Sequence, residues 1–213
     1  MSFLVRGLCV VLHELLKAWR RVYYNLRAFA WYRPAPWSTT IQGRLKFAHL
    51  PCRVTMGERC GLGDGLFLST GREATITLGD DVTINAGCLL VASQAIAIGS
   101  RTAIGEYVSI RDQAHRFAPG RGVRGQGFEV APIEIGENVW IGPDCIVTGE
   151  IKIGAGCTLL PGTVVSRDVP PGCLLTGNPA RVLQRNFDNT ALRSSLRWEI
   201  DAKDIVVERA MAS

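Results

Sequence analysis

Residues 132–165 read PIEIGENVWIGPDCIVTGEIKIGAGCTLLPGTVV, and an aliphatic residue returns at every sixth position of this stretch. The series consists of Ile135, Ile141, Val147, Ile153, Leu159 and Val165. A helix repeats every 3.6 residues and a half-buried strand every two, so neither produces this spacing. Six residues suit one short strand and one turn, and the stretch therefore predicts a protein built from short repeats.

The six-residue period begins near residue 54, and a four-residue phrase within it marks a larger unit. The phrases ITLG, IAIG, IEIG and IKIG begin at Ile76, Ile96, Ile133 and Ile151, in steps of 20, 37 and 18 residues. Three six-residue units therefore make one coil, with two extra residues in the first step and a long excursion in the second. Inward aliphatic residues, with glycine or another small residue at each corner, close such a coil as a triangle. Stacked triangles form a parallel β-helix whose backbone groups pair between coils, so the predicted fold class is mainly β.

The seven cysteines and three histidines exclude several kinds of site. The cysteines are odd in number, have no CxxC spacing and follow no convincing secretion signal, which favours a reducing cytoplasm. Cys88, Cys145 and Cys157 each lie four residues after an aliphatic position, where the coil needs a small inward side chain. We expect these three thiols to be buried and unreactive. Three scattered histidines are too few for a zinc site, so the sequence predicts no metal.

Residues 1–33 carry a net charge of +5, which equals the formal net charge of the whole chain. At about 100° per residue, nine apolar residues from Leu4 to Phe29 fall on one side and most of the basic residues on the other. This pattern predicts an amphipathic helix that ends before Pro34. Its longest apolar run, residues 8–12, is far shorter than the roughly 18 to 20 residues needed to span a bilayer.

Two interpretations of this helix are open. Its basic face and its tryptophan and tyrosine residues suit adsorption to an anionic membrane surface. Its apolar stripe equally suits packing against the core of the next domain. The sequence contains no base-stacking repeats and no known reader motif, so we expect no nucleic-acid partner.

These patterns divide the chain into four segments. Residues 1–33 form the helix, and residues 34–53 form a connecting segment. Residues 54–183 form the β-helix, interrupted by an excursion loop at 116–131 that is rich in glycine, proline and arginine. Residues 184–213 mix apolar with charged residues, and we expect a short helical tail there.

Three pieces of sequence together carry a family resemblance. They are IGEYVSIRDQAH at 104–115, PIEIGENVWIG at 132–142 and LLPGTVVSRDVPPGCLLTGNPARV at 159–182. In this order they resemble the hexapeptide-repeat acyltransferases. Residues 85–181 resemble the branch of maltose and galactoside O-acetyltransferases, which includes polysaccharide O-acetyltransferases. The resemblance implies a left-handed β-helix, a homotrimer with active sites between subunits, acetyl-CoA as donor and a hydroxyl as acceptor.

His115 stands where the family pattern has its catalytic histidine, at the root of the excursion. An imidazole is suited to taking the proton from a hydroxyl that attacks a thioester, so we expect a general base. The resemblance implies that Asn85 binds the acceptor hydroxyl, although a corner residue tolerating a left-handed conformation would explain it too. Glu129, beyond the excursion, is expected to accept a hydrogen bond from a sugar hydroxyl. Asp112 either orients the imidazole or is a solvated turn residue.

By the same resemblance, six residues contact the donor: Trp140, Gly142, Gly162, Ser166, Arg167 and Arg181. The first two flank the pantetheine path, and Gly162 keeps the wall flat. The last three lie where the family contacts the nucleotide end of the cofactor, and guanidinium and hydroxyl groups suit its phosphates. The two arginines are equally explained as ordinary surface charges.

Three functions are therefore open. The leading one is O-acetylation of a sugar in a cell-surface glycan or its lipid-linked precursor, since the helix would hold the enzyme at the inner membrane face where such acceptors are made. The second is acetylation of a free small molecule, such as a soluble sugar or an antibiotic. The third is a non-enzymatic solenoid that binds a partner or an anionic surface. We expect a cytoplasmic protein. If it has the first of these three functions, we expect it to be peripheral at the inner membrane face.

Overall fold

The computed structural model describes residues 36–48, 52–118, 120 and 124–188, and six positions near the start of the chain. In chain order the strands are β1 (Thr40–Ile41), β2 (Lys46–Phe47), β3 (Val54–Met56), β4 (Gly61–Leu62), β5 (Phe67–Thr70), β6 (Thr75–Leu78), β7 (Thr83–Ile84), β8 (Leu89–Ala92), β9 (Ala95–Ile98), β10 (Ala103–Ile104), β11 (Ser109–Arg111), β12 (Gln113–His115), β13 (Phe128–Val130), β14 (Ile133–Ile135), β15 (Trp140–Ile141), β16 (Ile146–Thr148), β17 (Ile151–Ile153), β18 (Thr158–Leu159), β19 (Val164–Val165), β20 (Leu174–Thr176) and β21 (Arg181–Gln184). None of them is longer than four residues, as a six-residue unit with a turn requires.

The strands form a three-sided parallel β-helix. Face A contains β1, β4, β7, β10, β15, β18 and β20 with β21 at its end, face B contains β2, β5, β8, β11, β16 and β19, and face C contains β3, β6, β9, β14 and β17. Each coil passes from face A to face B to face C. The register stacks Ile96 between Ile76 and Ile133, and Ile133 next to Ile151. The repeated four-residue phrase thus forms one ladder on face C, which confirms the coil of three units.

The core of the prism consists of the aliphatic residues at six-residue spacing. From Leu78 to Val165, each residue of that series is at most 3% exposed. Cys88, Cys145 and Cys157 are fully buried free thiols, which confirms the predicted burial, while their lack of reactivity stays a prediction. Burial raises the pKa of the Cys88 thiol to about 11. The interior is therefore apolar, and catalytic chemistry is left to the outer faces and the corners.

The ladders begin earlier than the sequence pattern does. Strands β1 and β2 lie in the segment 34–53 that the sequence assigned to a connection, and they pair in parallel with β4 and β5. Only one six-residue step, from Ile41 to Phe47, fits inside this segment. A single step is too short for the period to be recognised, which explains why the sequence placed the start at residue 54.

The described residues near the start of the chain are helical and exposed. They are Leu12, Leu15, Leu16, Trp19, Val22 and Tyr23. The rest of the helix predicted over residues 1–33 lies outside the described residues, as does the tail from residue 189 onward. Within the described part of the chain, no helix is long and apolar enough to cross a membrane.

Candidate active site

The excursion leaves the solenoid at the corner between faces B and C and starts as a two-stranded ribbon. Strands β12 and β13 pair antiparallel, and the Ala131 amide donates to the Asp112 carbonyl at 3.1 Å where the chain returns. The exit and return strands lie side by side, so their backbone groups satisfy one another. His115 therefore lies within the first strand of a projecting ribbon, one residue before the loop predicted at 116–131.

Asp112 anchors this ribbon to the solenoid. Its buried carboxylate accepts hydrogen bonds from the amides of Ser93, Gln94 and Ala95 at 2.6, 2.6 and 2.9 Å. These three amides form the corner between faces B and C in the preceding coil. The carboxylate is therefore directed at the backbone of that coil, and Asp112 is neither a solvated turn residue nor a direct partner of the imidazole.

The imidazole of His115 is exposed and packs against Phe128 across the ribbon. The two ring centroids lie 4.4 Å apart, with the planes tilted by 41°. The Arg116 amide donates to the Gly127 carbonyl at 3.1 Å, so His115 and Phe128 form a non-hydrogen-bonded pair, in which side chains lie closest. One side of the imidazole is thus supported by an aromatic ring while the other remains open to a substrate.

Glu129 lies on the other face of the same ribbon. It pairs with Ala114, and side chains alternate between the two faces along a strand. Within one chain the structure therefore does not bring the Glu129 carboxylate next to His115. The acceptor-binding role of Glu129 stays a prediction.

Asn85 lies at the corner between faces A and B, directly after β7. Its Nδ2 donates to Glu106 Oε1 at 2.8 Å, and both side chains are half-buried. A carboxylate only accepts hydrogen bonds, so this contact fixes which end of the amide faces Glu106. No described residue donates to the Asn85 Oδ1 atom, which leaves it available to a substrate hydroxyl.

Sequence reasoning missed Glu106, although the six-residue register contained a signal for it. Ile84 pairs with Ile104, so Asn85 and Ala86 lie beside Gly105 and Glu106 at the same corner. A polar residue at 106 is therefore close to the amide of Asn85. The aromatic partner of His115, Phe128, has no comparable signal because it lies across the irregular excursion.

Asn85 and His115 lie at opposite edges of face B in one chain. Strand β8, which separates their two corners, has four residues and spans about 13 Å at roughly 3.3 Å per residue. The single chain does not bring the predicted general base and the predicted acceptor ligand together.

The predicted donor residues Trp140, Gly142 and Gly162 follow face A and its corner with face B. Trp140 points outward in β15 and is half-buried. A Cβ on Gly142 would lie 2.7 Å from the Pro161 nitrogen, so close packing of neighbouring coils requires glycine there. Gly162 has a φ of +73° and nothing within 4 Å of its Cβ position, so the surface beside it is open. This is consistent with a flat wall along the solenoid.

The other three donor residues lie near the C-terminal end of the solenoid. Ser166 and Arg167 follow β19, Arg181 begins β21, and all three are exposed. An Arg167 guanidinium nitrogen donates to the Ala180 carbonyl at 3.3 Å, which brings Arg167 next to the backbone of Arg181. The six residues are thus spread along the solenoid axis from β15 to β21, on the C-terminal side of Asn85. Their contacts with a donor stay predictions.

A broad, open depression of about 800 Å³ lies on face C and its corner with face A. It is lined by Glu134 and Lys152, which form an ion pair of 3.3 Å. None of the predicted site residues lines it. In the part of the chain that the structure describes, no group of three histidine, cysteine, aspartate or glutamate residues has metal-site geometry.

Comparison with known proteins identifies the family. Residues 132–167 match the family model of bacterial transferase hexapeptide (six repeats). Nodulation protein L of Rhizobium meliloti (strain 1021) is 32% identical over 162 residues, which cover 74% of this chain and 85% of that protein. Galactoside O-acetyltransferase of Escherichia coli (strain K12) is 27% identical over 135 residues, covering 63% of this chain and 65% of that enzyme.

Among solved structures, the chain is similar to a hexapeptide-repeat acetyltransferase from Vibrio cholerae O1 biovar eltor that was crystallised with acetyl coenzyme A. The TM-score is 0.50 and the identity 25%, over 71% of this chain and 72% of the other. The chain belongs to the bacterial hexapeptide-repeat transferase family. Its membership confirms the predicted left-handed β-helix and the predicted enzyme class, an acetyltransferase.

Proposed function

We propose that this enzyme transfers an acetyl group from acetyl-CoA to a sugar hydroxyl of a cell-surface glycan or its lipid-linked precursor, with His115 as general base. The observation that carries the proposal is the exposed imidazole on a ribbon beside face B, supported on one side by Phe128. The similar enzymes support the donor and the kind of acceptor, since one was crystallised with acetyl coenzyme A and another is a galactoside O-acetyltransferase.

In the proposed reaction, an imidazole nitrogen of His115 accepts the proton of the acceptor hydroxyl as the oxygen attacks the thioester carbonyl. A carbon–oxygen bond forms and the carbon–sulfur bond breaks. The proton held by the imidazole then passes to the departing thiolate, which leaves as the free thiol of coenzyme A. The imidazole returns to its neutral form, and a general base of this kind typically contributes about 10² to 10⁴ in rate.

The site in this proposal is shared between copies of the chain in a homotrimer. Asn85 and His115 lie at opposite edges of face B, so a neighbouring copy packed on face B can place its Asn85 near this His115. The outward side chains of face B form an apolar ladder of Phe67, Leu89, Ile146 and Val164, interrupted by Ser109. Ile146 is 40% exposed in the single chain. An exposed apolar ladder of this kind favours a protein interface.

The catalytic role of His115 is tested by release of coenzyme A with methyl glycosides of galactose, glucose and N-acetylglucosamine as acceptors. We expect His115→Ala to lower kcat by about 10² to 10⁴ while the melting temperature stays that of the wild type, because the side chain is exposed. Lys152→Ala, which alters the depression on face C, serves as the control and should keep full activity. Full turnover by His115→Ala, or an equal loss in Lys152→Ala, would contradict the proposal.

We also propose that the N-terminal segment holds the enzyme on an anionic membrane surface. The six described residues there are helical, apolar or aromatic, and 40% to 62% exposed. Their spacing of three and four residues places them on one side of a helix, and the rings of Trp19 and Tyr23 stack with centroids 5.3 Å apart. The sequence pattern predicts most of the basic residues of this segment on the opposite side of the helix, where anionic headgroups would attract them.

Co-sedimentation with vesicles tests this membrane contact. The full chain should bind phosphatidylglycerol vesicles, bind phosphatidylcholine vesicles more weakly, and be released as salt is raised. A double variant, Leu15→Asp with Trp19→Asp, should lose binding while keeping activity on soluble methyl glycosides. Equal binding by the variant, or a loss of folding in it, would instead support packing of the helix on the protein.

A further inference from the structure

Tyr107 occupies a corner position at which the neighbouring coils carry a glycine or an aspartate. The equivalent residues between faces A and B are Gly65, Gly87, Asp144 and Gly162. All five have positive φ, and that of Tyr107 is +58°. The left-handed region disfavours a residue with a large side chain, so the corner itself gives no reason for tyrosine here. A strained residue that the fold does not need is a candidate for a functional role.

The ring of Tyr107 is held in place yet open on one side. A Cβ on Gly87 would lie 2.5 Å from both Cδ1 and Cε1 of the ring, so the ring edge lies directly against the backbone of Gly87. A side chain at position 87 would therefore displace the Tyr107 ring, and the φ of +71° at Gly87 also favours glycine there. The side chain remains 67% exposed. An exposed aromatic ring that packs against backbone along one edge offers a flat surface to an apolar ligand face.

Polar groups suited to hydroxyls lie at the same corner. Asn85 is two residues before Gly87, and Glu106 directly precedes Tyr107. The hydrogen bond from Asn85 Nδ2 to Glu106 orients the amide and leaves its Oδ1 as an acceptor. The Glu106 carboxylate has further acceptor capacity. The corner therefore combines one aromatic surface with two oxygen acceptors, which complements a ring that has an apolar face and hydroxyl groups at its rim.

We propose that Tyr107 and the Asn85–Glu106 pair form the subsite that holds the sugar ring of the acceptor. The Tyr107 ring packs on one face of the pyranose, and the Asn85 and Glu106 oxygens accept hydrogen bonds from its hydroxyls. This subsite rests on the proposed acetyltransferase function with a sugar acceptor, and it assigns two residues: Tyr107, which selects for a ring, and Glu106, which binds a hydroxyl. In the shared arrangement it serves the His115 of an adjoining copy.

Steady-state kinetics of Tyr107→Asn and Tyr107→Phe test the subsite. Asparagine tolerates positive φ and removes the ring, whereas phenylalanine keeps the ring. The acceptors are a methyl glycoside from the panel above and glycerol, which has hydroxyls but no ring face. We expect Tyr107→Asn to raise KM for the glycoside about ten-fold. Its kcat, its KM for acetyl-CoA and its kcat/KM for glycerol should stay near wild type, and Tyr107→Phe should behave like the wild type throughout.

A matched control separates recognition from backbone strain. Asn138 also has positive φ, +54°, but lies at the corner between faces C and A. Asn138→Gly relieves a similar backbone conformation without removing an aromatic ring, and it should leave the kinetics unchanged. An equal loss for glycerol and glycoside in Tyr107→Asn, or a change in its oligomeric state, would show a packing role and overturn the subsite.

A binding measurement keeps this proposal distinct from the proposed reaction. Saturation-transfer NMR of the methyl glycoside with enzyme and coenzyme A should give a signal in the wild type and in His115→Ala. The signal should be lost in Tyr107→Asn and weakened in Glu106→Gln. This pattern supports the subsite even if no acetyl transfer is detected. Undiminished binding by Tyr107→Asn overturns the subsite, while a full rate in His115→Ala overturns only the proposed base.

Discussion

Asp112 is the last residue of the solenoid before the chain departs on the ribbon, and its side chain replaces a turn that this coil does not form. In an uninterrupted coil the backbone itself turns from face B to face C, as it does at Ser93 and Gln94. Here the carboxylate of Asp112 binds the amides of that preceding turn. Gln113 adds a hydrogen bond from the Ser93 hydroxyl to its own Oε1. Two adjacent residues thus fix the direction in which His115 is presented.

We therefore expect Asp112→Ala to impair catalysis and stability together. The substitution leaves three partly buried amides without their acceptor and should lower the free energy of unfolding by roughly 3 kcal/mol, because hydrogen bonds to charged groups contribute about 1.5–3 kcal/mol each and do not add fully. The displaced ribbon should lower kcat more than it changes KM for acetyl-CoA. Urea unfolding and steady-state kinetics measure the two effects, and Asp112→Asn should fall between wild type and alanine.

Asp168 provides the matched control for this prediction. Its Oδ1 accepts a hydrogen bond from the Lys152 amide at 2.7 Å, at a corner between faces B and C from which no ribbon projects. Asp168→Ala should destabilise the fold without a specific loss of kcat under conditions where the protein is folded. A similar fall in kcat for both alanine variants would mean that Asp112 acts only through general stability.

Among the elements, the short strands were predictable and the ribbon was not. The strands follow a period that repeats over more than 100 residues, so each coil supports the assignment of the next. The ribbon does not repeat among the described coils, and its alternation of apolar and polar residues at Phe128, Glu129 and Val130 is only three residues long, too short to predict a strand. Its pairing depends on where the chain leaves at Asp112 and returns at Ala131. Such a register is a property of the tertiary structure, which local sequence does not encode.

The same reasoning explains which site residues the sequence indicated. His115 and Asn85 were named through the family resemblance, and only Asn85 lies at a corner whose register the repeats define. Glu106 and Tyr107 matter because of what the preceding coil carries at Asn85 and Gly87, about 20 residues earlier. Contacts between coils become visible in sequence only when the register is applied to polar residues as well as to the aliphatic core.

At the scale of the whole molecule, one chain does not bring together the groups proposed for the active site. Asn85 and Tyr107 lie on one edge of face B, and His115 lies on the other. The core is already closed, since the inward residues from Leu62 to Leu175 are buried within the chain and those of the first coil, Phe47, Val54 and Met56, pack against them partly buried. Assembly is therefore expected to complete the site and to cover the apolar ladder on face B, while folding of each chain proceeds through its own core.

Mixed assemblies of two inactive variants test this arrangement. If each site takes His115 from one chain and Asn85 from its neighbour, co-expressed His115→Ala and Asn85→Ala chains should form oligomers in which some sites have both native residues. Random assembly in equal amounts gives such sites a frequency of about one quarter, so activity should recover to roughly a quarter of the wild-type rate.

The mixed state is verified by native mass spectrometry with differently tagged chains. Separately purified variants, mixed without exchange of subunits, should stay inactive. Verified mixed oligomers without recovered activity would mean that each chain carries its own complete site, because a site within one chain always contains one of the two substitutions.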